Sequence, residues 1–279
     1  MAEDENHVPL VIVSDLHVGC RVGLMPPDGF SLDDGGVYTP GRVQAELWKY
    51  WEEFWGVFVP EATQGGEYDV CFNGDALDGV HHGSTSQWSH NMEDQRRCAE
   101  QILRPVVDAA RHYYHIRGTE AHVGSSAQDE EALARKLHAI PNADGMHARY
   151  DLWIRVCGCL GHILHHIGAT GSQAYEATAV HKELVEEYAE AARWDEPVPD
   201  FIIRSHRHRH IMSSIPTRRG VSISAVTPCW QGKTPFVWKI PGGRLSLPQW
   251  GGLVVRRNKG EQLSILPWVR SPSRSQVEG

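Results

Sequence analysis

Short apolar runs that alternate with segments of helical periodicity constrain the fold of this chain most. Residues 8–14 and 68–72 are short, apolar runs rich in β-branched or aromatic side chains, which is typical of buried strands, and residues 115–117 close a third such run. Residues 43–58 and 92–113 carry apolar side chains at helical spacing. Strands that alternate with helices favour an α/β domain with a mainly parallel sheet.

The second half of the chain has a different pattern. From residue 150 onward most apolar runs are strand-like, and residues 211–268 alternate glycine and proline turns with β-branched runs. Residues 174–194 have the periodicity of a charged amphipathic helix. We therefore expect a second sheet, and an α/β fold in which a two-sheet β-sandwich is flanked by helices. We expect a single domain over 1–268, followed by a flexible tail over 269–279.

Polar side chains that can bind metal ions follow the predicted strands. Ligands in open α/β sheets collect beyond the carboxyl ends of the strands, so these side chains should lie together. The chain has 17 histidines, and histidine is a common metal ligand and general acid. Alternate residues of an extended segment point to the same side. The candidates are Asp15 and His17, Asp75, Glu120 and His122, His165 and His166, and the alternating His206, His208 and His210.

The order and spacing of these groups resemble the motifs of the calcineurin-like metallophosphoesterase superfamily. Asp-Leu-His at 15–17 and Gly-Asp-Ala-Leu-Asp at 74–78 match its first two motifs. A glycine-led segment at 118–122, a strand-end histidine and Ser-His-Arg-His at 205–208 follow in the family's order. The resemblance implies the family's two-sheet αββα fold and a pair of metal ions.

Two departures from the family pattern affect the assignment. Gly-Thr-Glu-Ala-His at 118–122 replaces Gly-Asn-His, and Ser205 replaces a glycine. With His165-His166 and Thr-Pro-Cys-Trp-Gln at 227–231, the chain is most similar to metallophosphoesterases of phages and Mu-like prophages.

The resemblance implies two sets of metal ligands that share one carboxylate. Glu120 is preferred to Thr119 because a carboxylate binds a hard cation better than a neutral hydroxyl does. His166 is an alternative to His165, and Asp78 is expected mainly to cap the segment that follows it. One metal would be bound by Asp15, His17, Asp75 and His208, and the other by Asp75, Glu120, His165 and His206.

The resemblance also implies phosphate ester hydrolysis by a metal-activated hydroxide, with His122 protonating the leaving oxygen. Mixed carboxylate and imidazole ligands suit Mn²⁺, with Fe²⁺ and Zn²⁺ as alternatives. Arg207, Arg209 and His210, together with His166, are candidates for binding the substrate phosphate. The alternative for the two arginines and His210 is that they are solvent-facing neighbours of the metal ligands.

Charge and aromatic residues suggest the substrate. The net charge is −8 overall, but residues 204–279 carry +11 and residues 1–203 carry −19. Such a basic region suits an anionic partner, so DNA is the leading phosphodiester substrate, with Trp88 and Trp230 as candidate stacking surfaces. A small nucleotide or phosphomonoester is the first alternative, and a non-catalytic, metal-stapled module for phage assembly or nucleic-acid binding is the second. The helically spaced Trp48, Trp51 and Trp55 are expected in the core.

The sequence also carries expectations about location. The first six residues are acidic, and no run of about 18 apolar residues occurs, so neither a signal peptide nor a membrane span is expected. We expect a cytoplasmic protein of a bacterial host, encoded by a prophage, with no membrane partner.

Overall fold

A computed structural model describes residues 7–81, 83–124, 126–168, 173–240, 243–258 and 260–273. In chain order, its strands are β1 (Leu10–Val13), β2 (Phe30–Ser31), β3 (Val37–Tyr38), β4 (Asp69–Asn73), β5 (Tyr113–Ile116), β6 (Ala148–Arg149), β7 (Asp151–Val156), β8 (Cys159–Leu164), β9 (Phe201–Arg204), β10 (Ile211–Thr217), β11 (Gly220–Val226), β12 (Trp250–Arg256) and β13 (Ser264–Arg270). Its α-helices are α1 (Arg42–Glu53), α2 (Val59–Ala62), α3 (Met92–Asp108), α4 (Glu120–Val123), α5 (Gln128–Lys136) and α6 (Glu176–Trp194), with a π-helical turn at Phe54–Phe58 and a 3₁₀ turn at Gln173–Tyr175.

The first sheet is built around β1 and has the strand order β13-β12-β1-β4-β5-β6. Strands β1, β4, β5 and β6 run parallel, and β12 and β13 are antiparallel neighbours on the other side. Because β1 lies between two strands and is covered on both faces, all four of its residues are buried and apolar.

The second sheet has the strand order β10-β11-β9-β8-β7. Strands β8, β9 and β11 run parallel, and β7 and β10 are antiparallel strands at the two edges. Parallel strands in both sheets therefore carry their carboxyl ends into loops that can share one site.

The two sheets pack face to face across an apolar layer. Alternate residues of β1 point to opposite faces of the sheet. Leu10 and Ile12 face the second sheet, whereas Val11 and Val13 face the helices. The layer between the sheets includes Leu10, Ile12, Cys71, Leu253 and Val255 of the first sheet and Leu152, Ile163, Phe201, Ile203 and Ala225 of the second.

Helices cover the outer faces of both sheets. Leu47 of α1, Ile102 of α3 and Leu133 of α5 belong to the same buried cluster as Val11 and Phe72. On the other side, α6 lies against β10 and β11. The predicted two-sheet sandwich flanked by helices is thereby confirmed.

The predicted boundary of the C-terminal tail is wrong by at least two residues. Val269 and Arg270 pair with Gly251 and Trp250 within the β12–β13 hairpin, so the strand continues past residue 268. The end of the predicted tail, residues 274–279, lies outside the described residues.

No helix in the described ranges is both long enough and apolar enough to cross a lipid bilayer.

Candidate metal centre

The carboxyl ends of β1, β4, β5, β8 and β9 meet at one edge of the sandwich. In the first sheet these ends are level, because Val13 pairs with Phe72 and Asn73 pairs with Ile116. In the second sheet β8 and β9 run parallel side by side. The loops that follow these strands carry most of the predicted site residues, as strand-end placement implies.

Left-handed backbone marks these loops. Among the ten described non-glycine residues with positive φ, five belong to the predicted ligand set. Such conformations cost free energy and concentrate at functional sites, where the surrounding structure holds them. The five are Asp15 at 55°, His17 at 47°, Asp75 at 58°, His206 at 72° and His208 at 57°.

Asp15, His17 and His208 form the first cluster. Nε2 of His208 lies 3.0 Å from Nε2 of His17 and 3.3 Å from Oδ1 of Asp15. Nε2 of His17 lies 3.8 Å from the same oxygen. Asp15 and His17 follow β1 in the first sheet, whereas His208 follows β9 in the second, so both sheets contribute donors.

Asp75, His165 and His206 form the second cluster. Oδ2 of Asp75 lies 3.1 Å from Nε2 of His165 and 4.0 Å from Nδ1 of His206. The two clusters are neighbours, because the backbone N–H of His206 donates to Oδ2 of Asp15 at 3.4 Å. A position for Asp75 that bridges two cations stays a prediction.

Thr119, not Glu120, lies at the second cluster. The Thr119 hydroxyl is 3.2 Å from Oδ2 of Asp75, 3.4 Å from Nε2 of His165 and 3.0 Å from Nδ1 of His206. Glu120 is exposed and begins α4, and it is absent from the donor groups found among the described residues. Thr119 keeps the extended backbone before the helix, so its side chain stays at the strand end while Glu120 turns away. The structure does not support the expectation that Glu120 is the ligand.

The donor atoms of both clusters converge as ligands of a divalent cation do. Ligands about 2.1 Å from a shared cation are about 3–3.5 Å apart, which matches the shorter separations in each cluster. Oδ1 of Asp15 is buried without a hydrogen-bond partner. Nδ1 of His165 donates to the Asn73 carbonyl at 2.6 Å, which leaves Nε2 as a metal-binding nitrogen. Both donor sets therefore fit divalent cations.

In both clusters, contacts between carboxylates and imidazoles shift the pKa values of the two partners. Burial alone would raise the pKa of Asp15, but the contacts from His17 and His208 outweigh it and the pKa falls below its usual range. Burial likewise opposes ionisation of Asp75, and the charge of His165 outweighs it, so the Asp75 pKa lies well below its ordinary value. Burial would lower the pKa of His165, but Asp75 raises it to about 9. A cation that binds there would displace this proton.

His122 lies beside the first cluster. Its ring centre is 4.5 Å from that of His17, and its Nδ1 donates to the Asp78 carbonyl at 2.8 Å. Nε2 is therefore the ring nitrogen left to hold or release a proton. Burial, and after it the charge of His17, lower the pKa of His122 to about 4.

Asp78 has a larger place in the site than the predicted capping role. Its Oδ1 lies 3.4 Å from Nδ1 of His17, and its Oδ2 accepts from Nε2 of Gln87 at 2.6 Å. Burial would raise the Asp78 pKa, but His17 and His81 together lower it. Asp78, His17 and His122 form a third group of potential metal donors. In the sequence, the signal for this role was the position of Asp78 as the second aspartate of the Gly-Asp-x-x-Asp motif.

Glu130 of α5 is a fully buried carboxylate that sequence analysis missed. Its Oε1 accepts from the N–H of Ala76 at 3.0 Å, and its Oε2 accepts from the N–H of Gly118 at 2.6 Å. These amides adjoin Asp75 and Thr119, so one side chain fixes the spacing of two loops of the second cluster.

Ser205, where the family motif has glycine, belongs to a buried polar chain between the sheets. Its Oγ accepts from Nδ2 of Asn73 at 2.6 Å and from the Thr227 hydroxyl at 2.7 Å. The Ser14 hydroxyl lies 2.6 Å from that of Thr227. The chain joins the ends of β1 and β4 to the end of β9, directly beneath the clusters.

The two arginines predicted to bind substrate are held by α6 and the loop before it. Arg209 pairs with the Glu176 carboxylate at 2.8 Å. Arg207 donates to the main-chain carbonyls of Gly168 and Glu176. These contacts give both side chains a structural partner, and their predicted role in binding phosphate stays untested.

His210 and His166 are the other two residues predicted to bind substrate. Nδ1 of His210 donates to the Val226 carbonyl at 2.8 Å. His166 is exposed, with its ring centre 5.3 Å from that of His206. Of the histidine pair after β8, only His165 belongs to the second cluster.

The predicted stacking surfaces at Trp88 and Trp230 are wrong. Trp230 is fully buried and Trp88 is 9% exposed, so neither indole can present a face to a substrate base. The prediction that Trp48, Trp51 and Trp55 pack in the core is confirmed, because Trp51 is buried and the other two pack against the same cluster.

Comparisons with known proteins do not identify a family. No protein-family model matches the chain. No curated protein matches it either.

Several solved structures align over most of the chain. Vps29 of Chaetomium thermophilum is 10% identical, with a TM-score of 0.41 over 97% of this chain and 99% of that one. A hypothetical protein of Thermus thermophilus is 12% identical, with a TM-score of 0.42 over 95% and 100%. A metallophosphoesterase of Sphaerobacter thermophilus is 10% identical, with a TM-score of 0.39 over 94% and 88%. Because all three TM-scores are below 0.5, these likenesses leave the function to be inferred from the site.

Proposed function

We propose that this protein is a metal-dependent phosphoesterase that binds two divalent cations, one at each cluster. The observation that supports this most is the pair of neighbouring carboxylate and imidazole donor sets at the strand ends. Two such cations stabilise the charge of a phosphoryl group in transfer and lower the pKa of a bound water. We propose Mn²⁺, because no cysteine belongs to the donor groups found among the described residues.

His122 is the residue that we propose protonates the leaving oxygen. Its Nδ1 is bound to the Asp78 carbonyl, so Nε2 would carry the transferred proton. The lowered pKa makes its imidazolium a strong acid. An anionic phosphate beside the ring raises that pKa again, which couples protonation of His122 to substrate binding.

We further propose that the substrate is a phosphodiester, with DNA as the leading candidate. The motif resemblance to calcineurin-like metallophosphoesterases of phages supports this, as does the net charge of +11 over residues 204–279. Some of that charge is used within the protein, since Arg204 pairs with Glu183 and Arg219 pairs with Asp200. Arg209 and Arg270 are likewise paired, with Glu176 and Glu53, so only a part of the positive charge would act on a polyanion.

The test compares ester classes with metal-depleted and Mn²⁺-loaded protein. We expect Mn²⁺-dependent cleavage of bis-p-nitrophenyl phosphate and of plasmid or single-stranded DNA. Cleavage of p-nitrophenyl phosphate alone would instead identify a phosphomonoesterase. Metal binding without hydrolysis of any of these esters would refute the enzymatic proposal and favour a non-catalytic module.

A further inference from the structure

Residues 232–240 and 243–248, here called the rim loop, lie between two segments that are fixed to the metal centre. At the start, Nε2 of Gln231 donates to Oδ1 of Asp78 at 3.3 Å. At the end, the N–H of Gln249 donates to the carbonyl of His208 at 3.2 Å, and its Oε1 accepts from the N–H of His210 at 2.6 Å. Both ends of the rim loop are therefore fixed to the loops that carry the proposed ligands.

The rim loop combines cations with exposed aromatic rings. Its sequence contains Lys233, Lys239 and Arg244 and no acidic residue, in a chain whose net charge is −8. Phe236 is 68% exposed and Trp238 is 58% exposed. Two exposed aromatic rings on one short loop are unusual for a surface that binds no ligand.

An internal contact joins the first part of the rim loop to its last part. Nζ of Lys233 donates to the Arg244 carbonyl at 2.8 Å and lies 3.6 Å from the centre of the Trp238 ring. The cation covers one face of the indole and fixes its position relative to both arms. The ring is therefore presented by a braced loop that begins at the metal centre.

We propose that the rim loop binds a single-stranded nucleic acid whose scissile phosphate occupies the metal centre. Bases stack on Phe236 and Trp238, and backbone phosphates pair with Lys239 and Arg244. This inference rests on the proposed phosphoesterase function, and it specifies the substrate class.

The chemistry of the loop favours a single strand over other anionic substrates. Rings combined with cations are how proteins bind unpaired strands, since every base offers a π-face and every linkage offers a charge. In a duplex the base faces are stacked on one another and cannot reach Phe236 or Trp238. A small phosphomonoester has no second base or phosphate to place on the loop.

The test measures binding of a fluorescein-labelled phosphorothioate (dT)12 to Mn²⁺-loaded protein by anisotropy. Trp238→Ala should weaken binding at least about 5-fold, because stacking of one base contributes on that scale. Trp238→Phe should restore most of the affinity. Trp194→Ala, which removes an indole that is 69% exposed on α6, is the matched control and should bind as the wild type does.

The readouts separate this inference from the proposed function. Trp238→Ala should hydrolyse bis-p-nitrophenyl phosphate at the wild-type rate, because that small diester does not extend onto the rim loop. Equal affinities of Trp238→Ala and Trp194→Ala, tighter binding of a matching duplex, or a parallel loss of bis-p-nitrophenyl phosphate turnover would each overturn the inference. Trp238-dependent binding by a protein that hydrolyses no ester would support the rim loop and refute the phosphoesterase function.

Discussion

The two donor clusters differ in the negative charge that surrounds their histidines. In the first, His17 contacts both Asp15 and Asp78, so two carboxylates serve two imidazoles. In the second, Asp75 is the carboxylate that contacts both imidazoles, and the neutral Thr119 hydroxyl completes the group. His206 is also 42% exposed, so the second cluster is the more open one. Because affinity for a hard cation rises with ligand charge, the first cluster should bind Mn²⁺ more tightly.

The largest expected effect separates catalysis from metal binding. His122→Ala should lower turnover of esters with poor leaving groups by about 10²–10⁴-fold, because the proposed general acid is lost. Metal content by mass spectrometry should stay at the wild-type level, since His122 lies beside the first cluster and not within it. His112→Ala, at the amino end of β5, is the control. Normal turnover with full metal content would rule out the acid role.

Asp15→Asn should empty the first cluster selectively. Replacing a charged ligand should cost more than the roughly 10–100-fold in affinity that loss of an outer-shell partner costs. Calorimetric titration of Mn²⁺ should show the tighter of two binding events removed. Asp69→Asn, at the opposite end of β4, provides a buried aspartate as control. If the weaker event disappears instead, the ranking of the two clusters is reversed.

Glu130→Gln should affect the second cluster alone. One of its two backbone hydrogen bonds loses its acceptor, so we expect Mn²⁺ affinity at the weaker site to fall by about 10–100-fold and stability by about 1–3 kcal/mol. Glu131→Gln is the matched control, because Glu131 accepts hydrogen bonds from the backbone of His147 and Ala148, away from both clusters. Equal losses of metal affinity in both variants would mean that Glu130 acts only through stability.

Substitutions of Thr119 should change the difference in Mn²⁺ affinity between the two clusters. Thr119→Asp adds a charged donor and should tighten the weaker Mn²⁺ site by about tenfold, whereas Thr119→Val should weaken it. Glu120→Gln, on the exposed neighbour, should leave both binding events unchanged. A large effect of Glu120→Gln in the same titration would restore the original sequence-based assignment.

The smallest effect concerns stability without metal. The pKa values of His165, His17 and His208 are all raised in the folded protein, so their contribution is complete below about pH 6.5 and is lost as the pH rises. His122, His166 and His210 have lowered pKa values and oppose this trend, chiefly below about pH 6.5, where unfolded imidazoles are protonated. The melting temperature of metal-free protein should therefore fall between about pH 6.5 and 8.5. His165→Gln should flatten this slope, and an unchanged slope would contradict the assignment.

Sequence analysis succeeded where a strand end alone determines the position of a side chain. The buried runs before Asp15, Asp75 and His206 predicted the sheets, and the ends of parallel strands predicted that these residues would meet. The choice between Thr119 and Glu120 failed because it depends on the residue at which α4 begins, and helix boundaries are decided locally by one or two residues.

Other features depend on contacts between distant segments. Glu130 lies 54 residues from Ala76, whose N–H it accepts, and no local pattern pairs them. One signal was available, because Glu130 shares the buried face of α5 with Leu133 and Ala134. An acidic residue on an apolar stripe indicates a specific internal partner. The burial of Trp230 had no comparable local signal, since its neighbours resemble an exposed loop.

Each cluster takes donors from both sheets, and this has a mechanical consequence. A cation bound by Asp15 and His208, or by Asp75 and His206, would link the two sheets of the sandwich at one edge. Sliding or separating the layers would first require releasing the ion, so the metal supply sets how firmly this edge stays closed. The opposite edge, where β1 and β4 begin, is joined by contacts that need no metal, such as that of Cys157 Sγ with the Val8 carbonyl, so when metal is scarce the molecule should start to open from the side of the metal centre.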